Sequence, residues 1–310
     1  MSHKILIPQM FSGNPLDRGD QQRRDEEWIR SVSAHQTSVF LPVWNLKVPV
    51  VTSESSLIWL DTKYLTTHSL LQTAIFLGLL GDKAYFVVDV SEHDFIADKL
   101  SRNPANSFVD IRAASQLIPR EESGILSQAV TQINWHNNHK FCSTCGKKTS
   151  MERGGQLRHC PNCKKQHFPR TDPVAITVVS YQDYCLLGRS RGRISKGNTF
   201  SALAGFIDQG ESLEEAVARE IMEESGIEIE NVTYLCSQPW PFPYNLMLGC
   251  HASAVTTDII IDDHEMEDIR WFPKAEVCLA IEGKSSHLEI PGPIAIAHHL
   301  IKAWALDNLI

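Results

Sequence analysis

Three glutamates in the stretch "GFIDQGESLEEAVAREIMEESGI" have a spacing that could support chemistry on one helix face. Glu220, Glu223 and Glu224 stand at positions i, i+3 and i+4, which places their side chains on the same side of a helix. Like charges at this spacing repel by roughly 0.2–0.5 kcal/mol per pair, and Arg219 is the only basic residue of the segment. Carboxylate oxygens are the ligands that Mg²⁺ and Mn²⁺ prefer, so the pattern predicts a divalent metal site. A solvated charged helix is the alternative.

Four cysteines form a second group with the spacing of metal ligands. They fall into two Cys-x-x-Cys pairs, which are Cys142, Cys145, Cys160 and Cys163. Two such pairs predict one tetrahedral zinc site, and a redox pair is the alternative. Gly146 and Asn162 suit the tight turns that would direct the sulfurs to one ion, and His159 and His167 are expected to be bystanders. Since four protein ligands leave no open position, this zinc should be structural.

The elements that must position these residues divide the chain into three parts. Residues 1–136 mix strand-like runs with helical stretches and predict an N-terminal mixed α/β domain. Residues 137–168 are poor in core-forming side chains, so this ribbon needs another source of stability. Residues 169–310 alternate strands with the acidic helix and predict a self-contained catalytic domain.

Short capping and turn motifs predict where several helices and hairpins lie. Ser212 followed by Glu215 predicts a capping box at the start of the acidic helix, and Gly226 predicts its end. The turn-like pair Gln182 and Asp183 predicts a hairpin in "DPVAITVVSYQDYCLLGRS", and Gly-Asp in "LLGDKAY" predicts another. A helix is predicted around "IAIAHHLIKAWALDNL".

Composition narrows the class of protein. The chain has 310 residues with 43% hydrophobic and 21% charged residues, which is typical of a folded globular protein and excludes a disordered or fibrous one. A formal net charge of −8 disfavours broad nonspecific attraction to nucleic acid. No run is long enough for a membrane span or a signal-peptide core. Four scattered cysteines are interpreted as buried apolar residues of a protein in a reducing cytosol: Cys185, Cys236, Cys250 and Cys278.

The acidic segment resembles a complete Nudix box. Gly205 and Glu211 are followed by the run Arg219-Glu220-Ile221-x-Glu223-Glu224-x-Gly226-Ile227, and every fixed position of the box is filled. The family resemblance implies an α/β/α sandwich with a mixed sheet and hydrolysis of a nucleoside diphosphate linked to another group. It also implies that water attacks one phosphorus while metals lie on the carboxylates.

The stretch "SQPWPFP" after the box resembles the signature of the NADH pyrophosphatase subfamily, which also has a cysteine ribbon. This resemblance implies cleavage of NADH or NAD⁺ into nicotinamide mononucleotide and AMP, with NAD as substrate, and a homodimer. The subfamily is also implicated in removing NAD caps from RNA. One departure is Tyr244-Asn245, where the subfamily usually has Ser two residues after the last proline, which puts fine specificity in question.

The resemblance implies several further site residues. Phe206 is expected to stack on a substrate ring, and Phe168 to contribute an aromatic ring from a partner subunit. Trp240 and Phe242 offer flat surfaces for a base, and Gln238 can hydrogen-bond a ribose or base edge, although a stiffened core loop is the alternative. Glu265 is expected to be a metal ligand or base, against the alternative of a surface carboxylate. Glu224 and Glu265 are the candidates for proton acceptor.

Two further interpretations stay open. The basic residues Arg189, Arg191, Arg193 and Lys196 could contact phosphates, but a solvated hairpin tip is favoured. An NAD-cap RNA hydrolase with the same centre is one alternative function, and a catalytically silent Nudix module that senses a ligand is the other. The retained Arg219 and glutamates favour the hydrolase.

Overall fold

The computed structural model describes residues 9–67, 70–192 and 197–307, and the chain forms two compact units. The N-terminal unit comprises Met10–Thr171 and Trp240–Tyr244, and the C-terminal unit is formed mainly by Asp172–Pro239 and Asn245–Ile310. The cysteine ribbon lies within the N-terminal unit, and the predicted three-part division of the chain stays a prediction. In the described ranges, every helix is too short or too polar to cross a bilayer.

The N-terminal unit contains short strands and helices arranged around small sheets. In chain order its elements are α1 (Glu26–Ser33), β1 (Val39–Val43), β2 (Val48–Val51), β3 (Ser56–Leu57), β4 (Leu60–Asp61), α2 (Thr62–Thr67), β5 (Ile75–Leu80), β6 (Lys83–Asp89), α3 (Asp94–Ser101), β7 (Asn106–Val109), α4 (Ile111–Leu117), α5 (Arg120–Asn138), β8 (Ser150–Glu152), β9 (Leu157–His159) and β10 (Gln166–His167). The strand orders are β4-β1-β6-β5, β3-β2-β7 and, in the ribbon, β10-β9-β8.

One core of this unit contains a group of aromatic rings. Phe40, Phe76 and Phe86 are fully buried, and the rings of Phe40 and Phe86 stack with their centroids 5.0 Å apart. The predicted Gly-Asp hairpin is confirmed, since Leu80 pairs with Lys83 across the turn that joins β5 to β6.

The C-terminal unit is built on one mixed sheet. Its elements are β11 (Asp172–Tyr181), β12 (Tyr184–Ser190), β13 (Leu203–Phe206), α6 (Leu213–Ser225), β14 (Ile229–Trp240), β15 (Asn245–Ala254), β16 (Met266–Pro273), α7 (Lys274–Ile281) and α8 (Ile296–Ala305). The strand order is β14-β15-β11-β12-β16, and β13 pairs with β11. Strands β11 and β15 are parallel, whereas β11 and β12 form the predicted antiparallel hairpin, with Tyr181 opposite Tyr184.

Helices cover both faces of this sheet. Val179 on β11 packs with Val217 and Ile221 of α6, whereas its neighbour Val178 packs with side chains of α7 and α8, such as Leu300. Alternate residues of a strand point to opposite faces, so the two cores lie on opposite sides of the sheet. The predicted α/β/α sandwich is confirmed. Three of the scattered cysteines are buried in these cores and one is half-buried, as expected; they are Cys185, Cys236, Cys250 and Cys278.

His136 on α5 joins this helix to the ribbon. Its Nε2 lies 2.8 Å from the carbonyl oxygen of Gly155, and its Nδ1 lies 2.9 Å from Nη1 of Arg158. A carbonyl accepts and a guanidinium donates, so the neutral ring with its proton on Nε2 satisfies both contacts. Gly155 is required here, because a Cβ would lie 2.6 Å from Cγ2 of Ile75. Burial, the main cause, lowers the pKa of His136 to about 4.

We expect His136 to make the protein acid-sensitive. Because its pKa is lower in the folded than in the unfolded chain, its contribution is complete above about pH 6.5 and is lost as the pH falls towards 4. The unfolding free energy should fall by up to about 1.4 kcal/mol per pH unit in this window. Denaturant unfolding at several pH values would measure the slope. A His136→Gln variant should have a shallower slope, and an equal slope would contradict the assignment.

Candidate active site

The acidic helix α6 is fixed at both ends as predicted. At its start, the Glu215 amide donates to Oγ of Ser212 at 3.2 Å, and the Ser212 amide donates to a Glu215 carboxylate oxygen at 2.7 Å. This reciprocal pair is the predicted capping box. At its end Gly226 has a φ of 70°, and its amide donates to the carbonyl of Met222 at 2.8 Å. The helix therefore places its glutamates in a fixed register.

Arg219 supplies more countercharge than the sequence suggested. Its Nη1 lies 2.8 Å from Oε1 of Glu220 and 2.9 Å from Oε2 of Glu223. Its Nε and Nη2 donate to the two oxygens of Glu211 at 2.6 and 2.8 Å, and Nη2 also donates to the carbonyl of Phe206 at 2.9 Å. These hydrogen bonds lower the pKa of Glu211 to about 2. Glu211 thus binds and orients Arg219. In the sequence, the only sign of this role was the fixed position of Glu211 in the box.

Glu220 packs against a glycine that leaves room for it. A Cβ added to Gly205 on β13 would lie 1.9 Å from Cδ of Glu220, closer than any two such atoms can approach. The Glu220 side chain is only 13% exposed, and burial raises its pKa, although its contact with Arg219 opposes the shift. Gly205 therefore leaves the space that the Glu220 carboxylate occupies, which explains why this box position requires glycine.

Glu224 is the buried member of the set, with a residue exposure of 6%. Among the described residues, its Oε2 has no hydrogen-bond partner. Burial and then the charges of Glu220, Glu265 and Asp262 raise its pKa to about 8. A buried carboxyl surrounded by like charges favours the neutral form unless a cation is close. This environment fits a divalent cation, which would relieve the repulsion among the carboxylates.

Glu265 lies in the segment before β16, and its charge raises the pKa of both Glu220 and Glu224. Neighbouring Glu267 and Asp268 instead lie within 3.3 and 3.8 Å of Arg189. Arg189 is therefore occupied by carboxylates, which favours the solvated hairpin tip over a phosphate contact for this loop. Arg193 and Lys196 lie outside the described residues.

The four cysteines of the ribbon converge. In the described part of the chain they are the one group of three or more His, Cys, Asp or Glu side chains whose ligand atoms all lie within 4.8 Å of one another: Cys142, Cys145, Cys160 and Cys163. The carboxylates near Glu224 are more widely separated than the sulfurs of this group. The sulfur cluster fits zinc in both ligand type and number.

The two turns of the ribbon contain the residues predicted for them. Gly146 has a φ of 69° and donates to the carbonyl of Cys142. Asn162 lies in the turn of the second pair and its Nδ2 donates to Sγ of Cys145, whereas the positive φ of that pair, 62°, falls on Lys164. His167 stays outside the group of four cysteines, as expected, and its Nε2 lies 3.3 Å from Sγ of Cys142.

Two aromatic rings of the "SQPWPFP" stretch pack within the N-terminal unit. The rings of Trp240 and Phe242 meet Phe11 edge to face at 6.0 and 5.9 Å, and the Arg112 guanidinium lies 5.1 and 4.3 Å from their centroids. Both rings are half-buried. Sequence reasoning missed Phe11 and Arg112, since nothing local links them to this stretch.

The remaining predicted substrate residues differ in exposure. Gln238 is fully buried, and its amide donates to the carbonyl of Ile294 and accepts from the amide of Ile296, both at 2.8 Å. These bonds fix the entry to α8, and its predicted contact with a substrate stays a prediction. Phe206, 55% exposed, ends β13, and Phe168, 60% exposed, belongs to the N-terminal unit.

Family models match three successive regions of the chain. The NADH pyrophosphatase-like rudimentary NUDIX domain matches residues 37–135, the NADH pyrophosphatase zinc ribbon domain residues 137–168, and the NUDIX domain residues 170–290. The N-terminal part, predicted only as a mixed α/β domain, is thus similar to a Nudix domain as well.

Curated relatives extend the similarity. The NAD-capped RNA hydrolase NUDT12 of Homo sapiens is 35% identical over 96% of this chain and 73% of its own length. The mitochondrial NAD(P)H pyrophosphatase NUDT13 of Mus musculus is 42% identical over 64% and 59%. An NAD-capped RNA hydrolase of Schizosaccharomyces pombe is 30% identical over 97% and 93%. Because full-length relatives and all three domain models agree, the chain belongs to the Nudix hydrolase family, in its zinc-ribbon NADH pyrophosphatase subfamily.

Proposed function

We propose that this Nudix hydrolase cleaves the pyrophosphate bond of NADH and NAD⁺ with water, giving NMNH or NMN together with AMP. The observation that carries the proposal is the buried oxygen of Glu224, which has no partner among the described residues and lies beside carboxylates that Arg219 holds in place. Support also comes from relatives, whose names include an NAD(P)H pyrophosphatase and an NAD-capped RNA hydrolase.

The residues that would hold a catalytic Mg²⁺ or Mn²⁺ are Glu220, Glu223, Glu224 and Glu265. Their oxygen chemistry and their mutual repulsion fit such a cation. When bound, the metal stabilises charge on phosphoryl oxygens and lowers the pKa of a water. Arg219 keeps Glu220 and Glu223 oriented, and Glu224 or Glu265 accepts the proton of the attacking water.

The proposed substrate contacts are aromatic. Phe206 has an exposed ring at the end of β13 and is suited to stacking on the nicotinamide or adenine ring. Phe168, also exposed, would contribute its ring from a partner subunit. Trp240 and Phe242 would supply a flat wall that Arg112 stiffens. Gln238 would hydrogen-bond a ribose or base edge.

The proposal also includes the structural zinc, the oligomeric state, the compartment and a second candidate activity. The ribbon would hold one structural zinc per chain, because four cysteines leave no open coordination position. The active form would be a homodimer in the cytoplasm, as the subfamily resemblance implies. Removal of NAD caps from RNA is a second candidate activity of the same centre, supported by the names of NUDT12 and its fission-yeast relative. A silent ligand-sensing module is disfavoured, because every box residue is present.

Product analysis tests the proposal directly. Purified protein incubated with NADH, NAD⁺, ADP-ribose or NAD-capped RNA, with and without Mg²⁺ or Mn²⁺, should release AMP and NMNH from NADH only when the metal is present. The Glu224→Gln variant should lose at least about 100-fold in kcat. Turnover without a divalent metal, or undiminished turnover by Glu224→Gln, would refute the proposed mechanism.

Gly205→Ala should impair catalysis while leaving the fold intact. The new methyl group displaces the end of the Glu220 side chain, which is flexible, so stability should change by less than about 1 kcal/mol. A displaced carboxylate can cost about 100-fold in rate. Gly292→Ala is the matched control, since its Cβ would meet no atom within 4 Å. Equal kcat values for both variants would contradict the role of Gly205.

Glu224 should make the protein lacking Mg²⁺ and Mn²⁺ less stable as the pH rises. Its folded pKa of about 8 exceeds its unfolded value near 4.5, so the unfolded chain loses its proton first between these values. Stability should fall by up to about 1.4 kcal/mol per pH unit and recover when Mg²⁺ is added. Thermal unfolding of the zinc-loaded protein measures this. Glu224→Gln should show a flatter pH profile and a smaller Mg²⁺ response, and identical profiles would exclude the assignment.

A further inference from the structure

A cavity of about 570 Å³ lies within the N-terminal unit, and its volume is in the range of small-molecule sites. Four segments that are distant in sequence line it: the chain before α1, the middle of α5, the ribbon turn after β8, and the segment 168–171. None of the carboxylates proposed to hold metal belongs to this lining, and Phe168 is the one lining residue to which the proposed function gives a role. The charged residues of the lining therefore call for their own explanation.

The lining of this cavity is strongly basic. Its charged residues are four arginines and one aspartate, namely Arg18, Arg23, Arg153, Arg170 and Asp20. Asp20 pairs with Arg24, which does not line the cavity. In the portion of the chain that the structure describes, Arg18, Arg23 and Arg153 form no ion pair with a carboxylate. An excess of positive charge therefore faces the cavity.

Arg23 is the buried cation of this set, with an exposure of 2%. Its Nε donates to the carbonyl of Arg18, its Nη2 donates to the carbonyl of Leu77 at 2.9 Å, and its guanidinium lies 4.7 Å from the Phe76 ring centroid. Among the described atoms its Nη1 has no partner. Burial first, and then Arg18, lowers the pKa of Arg23 to about 10, and the charge of Asp20 opposes this shift, so the group is charged at neutral pH. A buried and immobilised cation that the chain compensates only in part is costly unless an anion accompanies it.

Helix α5 adds further polar atoms to the same lining. Gln132 and Trp135 are three residues apart, so they lie on one face of the helix. Trp135 is 1% exposed, and within the described chain its indole Nε1 and the Oε1 of Gln132 lack hydrogen-bond partners. These two atoms of α5 and Nη1 of Arg23 are buried as well as unpaired, so they lie behind the cavity surface and make no direct contact with a ligand there. Direct contacts must come from the exposed Arg18 and Arg153, whose guanidinium groups suit an oxyanion.

We propose that this cavity binds a phosphate monoester, with room for the nucleoside that carries it. Arg18 and Arg153 contact the phosphate oxygens from the exposed side, and the positive charge of the buried Arg23 adds to their attraction. This inference concerns binding only and does not depend on the proposed hydrolysis.

Calorimetric titration of the zinc-loaded full chain, without Mg²⁺ or Mn²⁺, tests the proposal with AMP, inorganic phosphate and adenosine. The test variant is Arg18→Gln/Arg153→Gln, whose two side chains are exposed, and the matched control is Arg102→Gln, which is exposed in the same unit and does not line the cavity. AMP should bind at least about tenfold more tightly than adenosine, and the double variant should lose about tenfold in affinity for AMP. Arg102→Gln should bind like the unchanged protein.

The outcomes separate the possibilities. Preference for AMP over phosphate supports a nucleotide site, and equal affinity supports a site for the phosphate group alone. Absence of AMP binding, adenosine binding as tight as AMP binding, or an unchanged affinity in the double variant would each overturn the proposal.

Photo-crosslinking with 8-azido-AMP gives the location, because AMP could also bind as a product near α6. Label recovered by mass spectrometry in residues 128–135 or 153–157 supports the cavity, and label confined to residues 205–225 refutes it. Turnover of NADH is measured separately, so a failed binding test and a failed hydrolysis test remain distinguishable.

Discussion

The C-terminal site depends on one guanidinium. Arg219 contacts three carboxylates and the carbonyl that ends β13, so it fixes the acidic helix against the sheet and sets the directions of Glu220 and Glu223. Without it, the glutamates of α6 would repel one another across successive turns. Gly205 completes this arrangement by leaving space for Glu220. The site is therefore preorganised before any metal or substrate binds, which is the condition under which electrostatic catalysis is efficient.

Burial of Glu224 follows from the periodicity of the helix. Val217 and Ile221 are four residues apart and pack in the core, and Glu224 follows Ile221 by three residues, on the same side. The apolar stripe that attaches α6 to the sheet therefore carries a carboxyl into a desolvated position. The helix cannot bury its apolar residues without also burying this acid. A carboxyl in that position weakens the metal-free fold at neutral pH and is compensated when a cation binds.

Structural features that depend on a few neighbouring residues could be predicted from the sequence. The capping box at Ser212, the two hairpins and the first cysteine turn at Gly146 depend on local backbone preferences, and the structure has all of them. Features set by tertiary contacts could not be predicted. The positive φ of the second ribbon turn falls at Lys164 because the geometry of the knuckle fixes the position, whatever residue occupies it. Arg112 meets the Trp240 ring only through folding, and no periodicity or motif records such a contact.

Each unit buries one ionisable side chain beside groups of like charge, an acid in the C-terminal unit and a base in the N-terminal unit. In the C-terminal unit, Glu224 is buried among carboxylates with an oxygen that lacks a partner within the described chain; in the N-terminal unit, Arg23 is buried among arginines with a nitrogen in the same situation. Each side chain is held in place by its surroundings, Glu224 by the core-facing register of α6 and Arg23 by two backbone carbonyls. A fold that served stability alone would replace such groups with apolar ones at little cost. Their presence in both units argues that the N-terminal unit, although its family model is a rudimentary Nudix domain, has a binding role of its own in addition to its support of the ribbon.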